Sequence, residues 1–256
     1  LTDEHSRPFI HVVAGVLIDA ADRVLIAQRP AGKHMAGGWE FPGGKLEPGE
    51  ECLVGLAREL REELGITLIG NPRPLIRVRH AYASRDVLLD VWVVKRYGGE
   101  PRGLDGQTLR WCTRDELDAA ELLPADKPIV AALRLPERLV RESTADYAIV
   151  DAESRPASLE TKNVTYDRRL KGRFCSSAEQ AASAAAAGAD FIVLSGQVGA
   201  DELAALCRAV SVPVYARDIA LETAWGFGAS GTNEMNILDA GEPGSTGAGD
   251  SRRRNS

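Results

Sequence analysis

Gly44-Lys45-Leu46-Glu47-Pro48-Gly49-Glu50-Glu51-Cys52-Leu53-Val54-Gly55-Leu56-Ala57-Arg58-Glu59-Leu60-Arg61-Glu62-Glu63-Leu64-Gly65-Ile66 is the stretch on which the reading of the first half turns. Pro48-Gly49-Glu50 marks a helix entrance, the helix runs to about Leu64, and Gly65 stops it. At about 100° per residue, Leu53, Leu56, Ala57, Leu60 and Leu64 share one face. Glu59, Glu62 and Glu63 stand at i, i+3 and i+4 and share the roughly opposite face. Carboxylates this close repel one another unless something offsets the charge. Hard divalent cations such as Mg²⁺ do so, because they prefer oxygen ligands and bridge to substrate phosphates. A solvated acidic helix face is the bland alternative. Against it stand the preceding Gly43-Gly44, where a backbone carbonyl can approach a metal, and Arg58 and Arg61, which give the acids partners.

Outward from this helix the pattern is mixed. His11 to Leu17 reads as a strand, Asp19 to Asp22 as a turn, and Arg23 to Gln28 as the hairpin partner. Arg29 to Trp39 is loop-like. Ile76 to His80, Val87 to Lys95 and Leu109 to Cys112 read as strands. Arg114 to Ala119 begins a helix capped by Thr113, and Ala125 to Leu135 is another. These elements predict a compact α/β domain over residues 1–136. Residues 137–171 read as a polar linker with one strand, Tyr147 to Val150.

Beyond the linker, Ser176 to Ala187, Ala200 to Ala209 and Ile219 to Trp225 read as helices, and Phe191 to Leu194 and Val212 to Tyr215 as strands. This alternation argues parallel βα units over residues 172–240. Residues 241–256, rich in Gly, Ser and charge, read as a disordered tail.

The chain has 256 residues, 44% hydrophobic and 27% charged, enough for two domains with real cores. Lys plus Arg total 31 against 37 Asp plus Glu, a net charge of -6, which excludes a broad electrostatic footprint for nucleic acid. Cys52, Cys112, Cys175 and Cys207 form no CxxC pair and predict reduced thiols in a cytoplasm. Nothing approaches a membrane span or a signal pattern.

Gly44 through Ile66 is similar, at every defined position, to the signature of the Nudix hydrolase family. Glu40-Phe41-Pro42-Gly43-Gly44-Lys45, Lys33-His34-Met35-Ala36 and Pro124-Ala125-Asp126-Lys127-Pro128 resemble the MutT-type members, the 8-oxo-dGTP diphosphatases. The resemblance covers about residues 10–135 and implies an α/β/α sandwich with the signature as a loop–helix–loop. It implies metal ligands at the Gly44 carbonyl and at Glu59, Glu62 and Glu63. A further acid from a later loop maps onto Asp105, where the family carries Glu. Mg²⁺ is the implied cofactor, with Mn²⁺ as a substitute. Arg29 maps to the arginine near the substrate phosphates, and Arg58 orients the carboxylates with help from Glu50. The implied reaction is attack of water at the β-phosphorus, releasing a nucleoside monophosphate and pyrophosphate. Glu59 is the first candidate base and Glu62 the second.

For the base pocket, Phe41 either stacks on a purine or is a core aromatic. Tyr82 lies opposite in the family's arrangement, or is an ordinary strand aromatic. His34 falls in a loop, where a surface histidine is the default. Trp39 reads as core. Asp126 stands where MutT-type enzymes have Asn, and either meets the base or caps the helix starting near Lys127. Within the second half, Tyr147 to Val150, Phe174 to Glu179 and Gly188 to Ser195 resemble segments of thiamine-phosphate-synthase barrels. A complete (β/α)₈ barrel needs about 250 residues. A partial barrel without synthase activity is therefore expected, with no clear terminal strand after Gly228 and at most a remnant phosphate loop in Gly228 to Gly231.

The leading function is hydrolysis of 8-oxo-dGTP and related oxidised purine nucleoside triphosphates. A pyrophosphohydrolase for a pyrimidine triphosphate or dinucleotide, and a nucleotide-binding regulatory protein with a silent site, are the alternatives. The expected partner is a small nucleotide, with neither nucleic acid nor membrane.

Overall fold

The computed structural model describes residues 8–139, 147–150, 170–196, 198–226 and 228–233. The parts of the expected linker at 140–146 and 151–169 and the expected tail at 241–256 lie outside these residues. The first half runs β1 (Phe9–Leu17), β2 (Val24–Gln28), β3 (Trp39–Glu40), β4 (Gly43–Lys45), α1 (Cys52–Leu64), β5 (Thr67–Leu68), β6 (Arg73–Tyr82), β7 (Arg85–Val94), β8 (Tyr97–Gly98), β9 (Thr108–Cys112), α2 (Arg114–Asp118) and α3 (Lys127–Arg134).

Its central sheet has the order β4-β1-β7-β6, with β1 parallel to β7 and the outer pairs antiparallel. Alternate residues of β1 serve two cores. Val13 and Leu17 meet Leu56, Leu60 and Leu64 of α1. Ala14 and Val16 meet Val78, Leu89 and Val91, with Ile129 and Val130 of α3 beyond. Helices therefore cover both faces, which is why β1 reads as an unbroken apolar run rather than an alternation.

The expected hairpin between β1 and β2 does not form. A single bridge joins Ile18 and Val24, and β2 turns away to pair with β3 and β9 in a second sheet. Both strands are apolar on both faces, so each needs its own pair of covering layers. The turn itself is as read: the Asp19 carboxylate accepts the backbone N–H groups of Ala21 and Arg23, each at 2.9 Å. Thr113 caps α2 through a reciprocal capping box with Glu116.

The second half runs β10 (Arg138–Leu139), β11 (Tyr147–Val150), β12 (Leu170–Cys175), α4 (Ala178–Ala186), β13 (Phe191–Leu194), α5 (Ala200–Ala209), β14 (Val214–Arg217), α6 (Leu221–Gly226) and β15 (Gly231–Asn233). The strands form one parallel sheet in the order β10-β15-β14-β13-β12-β11. One face packs Ile192, Leu194 and Val214 against α5 and α6. The other gathers Tyr147, Phe191, Val193 and Tyr215 with Leu135 and Leu139.

Two expectations fail here. The span read as a linker holds β10 as well as β11, and β12 already begins at Leu170. A strand is also present after Gly228. β15 is buried between β10 and β14 although Gly-Thr-Asn has no apolar pattern, because its place inside the sheet rather than its side chains buries it.

The halves touch along β6. The Ser211 hydroxyl donates to the Arg79 carbonyl at 2.6 Å, and Arg73 pairs with Glu137 at 2.8 Å. α3 is shared: Ile129, Val130, Ala132 and Leu133 enter the first core, while Ala131 packs against the second. Among the described residues no helix is long and apolar enough to cross a membrane, and the four cysteines are free.

Candidate active site

β4 brings the signature loop onto α1. Gly43 has φ 151°, and a Cβ there would lie 2.1 Å from the Val13 carbonyl oxygen, so only glycine allows β4 to lie this close to β1. At Gly44 a Cβ would lie 2.3 Å from the Glu59 carboxyl carbon, so the missing side chain is the space into which Glu59 fits. The Gly43 N–H donates to Glu63 Oε2 at 3.1 Å.

Arg58 organises the acids. Its Nε and Nη2 grip both oxygens of Glu50, at 2.9 and 2.8 Å. Nη1 reaches Glu59 Oε1 at 2.8 Å and Glu62 Oε2 at 3.3 Å. Nη2 also donates to the Lys45 carbonyl at 3.1 Å, which ties the helix to β4. The guanidinium holds the Glu50 carboxyl down at about 2.

The acids share a side of α1, since one Arg58 nitrogen reaches both Glu59 and Glu62, but they differ in burial, which the periodicity did not indicate. Glu59 and Glu63 lie on the flank of α1 that turns toward β4 and are half-buried, while Glu62 is exposed. Leu53 also departs from the reading: it is 37% exposed. Angular position about a helix axis does not say whether the neighbouring layer reaches as far as the first turn.

A cleft of about 440 Å³ opens beside this loop. Its lining includes Gly43, Gly44, Lys45 and Glu63 from the signature loop and helix, and Phe41, Tyr82 and Asp126 from outside the signature. Arg29 Nε bonds Glu40 Oε2 at 2.7 Å, and its Nη1 donates to the His34 carbonyl at 2.9 Å. His34 lies at the exposed rim with its ring 6.5 Å from Tyr82, edge to face. Phe41 is 3% exposed and belongs to the core while forming part of the cleft wall. Trp39 packs against the core, with the Arg110 guanidinium 4.6 Å over its ring.

Asp105 lies on a loop that docks at the end of α1: its carboxylate is 3.5 Å from Lys33, a residue of the cleft lining, and its backbone N–H is taken by the Gln107 side chain. The loop docks through Leu104, whose N–H donates to the Glu63 carbonyl at 2.9 Å, and through Gln107 Nε2, which donates to the same oxygen at 3.0 Å.

Burial raises the carboxyls of three acids in the cleft lining, Glu40, Glu63 and Asp126. Burial, reinforced by Glu40 and Glu59 and opposed by the Gly43 N–H and Lys33, pushes the Glu63 carboxyl up to about 7. Asp126 is 5% exposed, and burial together with Glu40 pushes its carboxyl up to about 8, against the Phe41 N–H and Arg29. Asp126 makes no side-chain cap to α3, although Lys127 begins that helix. The capping role fails because the carboxyl turns into the cleft wall toward the Phe41 N–H. Glu40 was missed as a member of the site. Its signal was its place at the head of the Glu40–Lys45 stretch, but an acid before Phe-Pro reads as an ordinary strand end.

An all-oxygen donor set with crowded carboxylates, whose mutual repulsion a cation offsets, suits a hard divalent cation. Glu59, Glu63 and the Gly44 backbone meet that description.

Residues 13–132 match the NUDIX domain family. The 8-oxo-dGTP diphosphatase of Escherichia coli (strain K12) is 34% identical over 128 residues, covering 49% of this chain and 96% of that protein. The CTP pyrophosphohydrolase of the same organism is 40% identical over 123 residues, covering 48% of this chain and 90% of that protein. Among solved structures, the MutT NUDIX hydrolase of Burkholderia pseudomallei is 26% identical with a TM-score of 0.45, over 49% of this chain and 98% of that one. With the signature loop, its helix and the matched relatives in agreement, this chain belongs to the Nudix family.

Proposed function

We propose that this protein hydrolyses 8-oxo-dGTP and related oxidised purine nucleoside triphosphates to the monophosphate and pyrophosphate, cleansing the nucleotide pool. The observation that carries the reading is one cleft with two chemically distinct parts. The half-buried Glu63 carboxylate beside Gly43-Gly44 is assigned to the phosphate part, and the aromatic wall with Asp126 to the base part.

Mg²⁺, or Mn²⁺ in its place, would be held by the Gly44 carbonyl, Glu59, Glu62 and Glu63, and would supply charge neutralisation of the phosphates. Arg58 keeps the carboxylates in register. Arg29, held between Glu40 and the His34 carbonyl, is aimed at the phosphate chain. A water oxygen bonds to the β-phosphorus as the bridging bond to the α-phosphate breaks in line. The water proton passes to a carboxylate of α1, Glu59 first and Glu62 second, and the electron pair leaves on the α-phosphate oxygen.

In the base part Tyr82 faces the purine across the cleft from Phe41, with His34 at the rim. A protonated Asp126 donates to the purine O6 and accepts the N7-H that only the 8-oxo form carries.

The second half is read as a partial thiamine-phosphate-synthase-like barrel without synthase activity. Its support is a six-stranded parallel sheet whose inner face is filled by Tyr147, Phe191 and Tyr215 rather than open to a ligand.

A pyrimidine triphosphate is the second reading, favoured by the 40% identity to a CTP pyrophosphohydrolase. The deciding experiment measures kcat/KM for 8-oxo-dGTP, 8-oxo-GTP, dGTP, CTP and ADP-ribose with Mg²⁺ and identifies the products. Preference for the 8-oxo nucleotides with release of pyrophosphate supports the first reading. Preference for CTP replaces it, and absence of turnover on every substrate refutes both.

A further inference from the structure

On the α1 side of the central sheet, away from the nucleotide cleft, side chains from β1, α1 and β7 converge. His11, Cys52 and Asp90 each offer a donor atom, and these atoms all lie within 4.8 Å of one another. Asp90 Oδ2 is 2.5 Å from His11 Nε2 and 3.7 Å from Cys52 Sγ. Asp90 Oδ1 is taken by Arg77 Nε at 2.6 Å. Among the described residues no other set of three His, Cys, Asp or Glu side chains converges in this way.

The trio is not a nucleophilic unit. Burial and the adjacent Asp90 push the Cys52 thiol up to about 11, so it stays protonated and a poor nucleophile. As ligands, however, the three supply one imidazole nitrogen, one thiolate sulfur and one carboxylate oxygen. That set suits a borderline cation such as Zn²⁺ and not Mg²⁺, which takes oxygen alone. Arg77 holds the second carboxylate oxygen, as outer groups do when they fix a ligand's orientation.

We propose that His11, Cys52 and Asp90 form a binding site for a borderline divalent cation of the Zn²⁺ class, separate from the carboxylates of the nucleotide cleft. Binding displaces the proton between His11 and Asp90 and the Cys52 thiol proton, and forms Nε2, Sγ and Oδ2 bonds to the cation. A water from the His11 side, where the imidazole is 33% exposed, completes four-coordination. The bound ion pins the first turn of α1 to β1 and β7. α1 is the helix that carries Arg58, Glu59 and Glu63, so the site braces the catalytic helix from behind. The inference rests on this cluster alone and stands whatever nucleotide the cleft takes.

The test is Co²⁺ titration of the full chain with excess Mg²⁺ present to fill the oxygen ligands of the cleft. Wild type is expected to bind one Co²⁺ with a near-ultraviolet thiolate-to-metal band and visible bands of four-coordinate geometry. Cys52→Ser removes the near-ultraviolet band. His11→Ala weakens binding by at least about ten-fold. Glu63→Gln leaves the spectrum unchanged, and one equivalent of Zn²⁺ bleaches it and raises Tm. Absence of a thiolate band in wild type overturns the site and leaves a hydrogen-bonded cluster only. A band that survives in Cys52→Ser overturns it in favour of another cysteine.

Discussion

Replacing Asp126 with Asn tests the base part of the cleft in a way that separates charge from shape. Burial pushes the folded carboxyl up to about 8 from an ordinary value of 3.8. In the unfolded chain it is ionised above about pH 4, so between about pH 4 and 8 the folded protein holds one proton more than the unfolded one. Stability from this group is therefore present at acid pH and lost as pH rises through that window, at about 1.4 kcal/mol per pH unit. Summed to neutral pH, the loss is about 4 kcal/mol as an upper bound. Asn carries no such charge, and its amide oxygen can still accept the Phe41 N–H. Asp126→Asn should then be more stable than wild type near neutral pH, by about 2–4 °C in Tm for each kcal/mol. The gap should shrink toward pH 4 and level off above about 8. The assay is thermal unfolding of both proteins across pH, run beside kcat/KM for 8-oxo-dGTP and dGTP. Wild-type preference for the 8-oxo base should fall as pH rises through about 8, where the donor is lost, while the variant shows no step. Parallel Tm profiles for the two proteins would refute the protonated Asp126. An unchanged selectivity ratio at every pH, with only stability altered, would remove it from the base contact.

Glu62→Gln and Glu63→Gln should each reduce turnover by more than the roughly 10–100-fold typical of groups one step removed from a metal, as steady-state rates with titrated Mg²⁺ will read. Because Glu63 must give up its proton to act as a ligand, Mg²⁺ affinity should rise as pH passes about 7, and Glu63→Gln should abolish that dependence. Gly44→Ala puts a methyl 2.3 Å from the Glu59 carboxyl carbon and should lower kcat by about 10²-fold with circular dichroism unchanged. A chain truncated after Leu135 keeps Arg29 through Asp126 and should retain metal-dependent hydrolysis at a lower Tm, because Leu135 and the outer face of β6 lose their cover. A folded but inactive fragment would mean that the second half completes the site.

The parts of this fold that were legible are those written in local chemistry. The α1 stop at Gly65, which adopts φ 70°, follows from one residue's freedom, and the capping box at Thr113 from two side chains three apart. Pairing was not legible. Val24 to Gln28 looks like a hairpin partner for β1 in any local window, and only the competing claim of β9 removes it. Gly231–Asn233 carries no strand signal, because a central place in a parallel sheet depends on neighbours remote in sequence. In the site, the spacing of Glu59, Glu62 and Glu63 marked the helix but did not separate the two acids turned toward β4 from the one left in water. Asp105 was placed by resemblance alone, because its loop is remote in sequence from the helix it docks on through Leu104 and Gln107.

α3 has a consequence for how the chain tolerates change. Its first turn follows Asp126 in the cleft lining, and its Ala131 and the capping Leu135 join Phe191 and Tyr215 in the other core. A substitution that loosens those aromatics acts on the wall of a pocket it never touches. Selection on nucleotide choice therefore extends into a half of the chain whose described residues do not line that cleft. Exchange of that half for an unrelated domain is neutral only where the newcomer offers Leu135 an equivalent apolar seat.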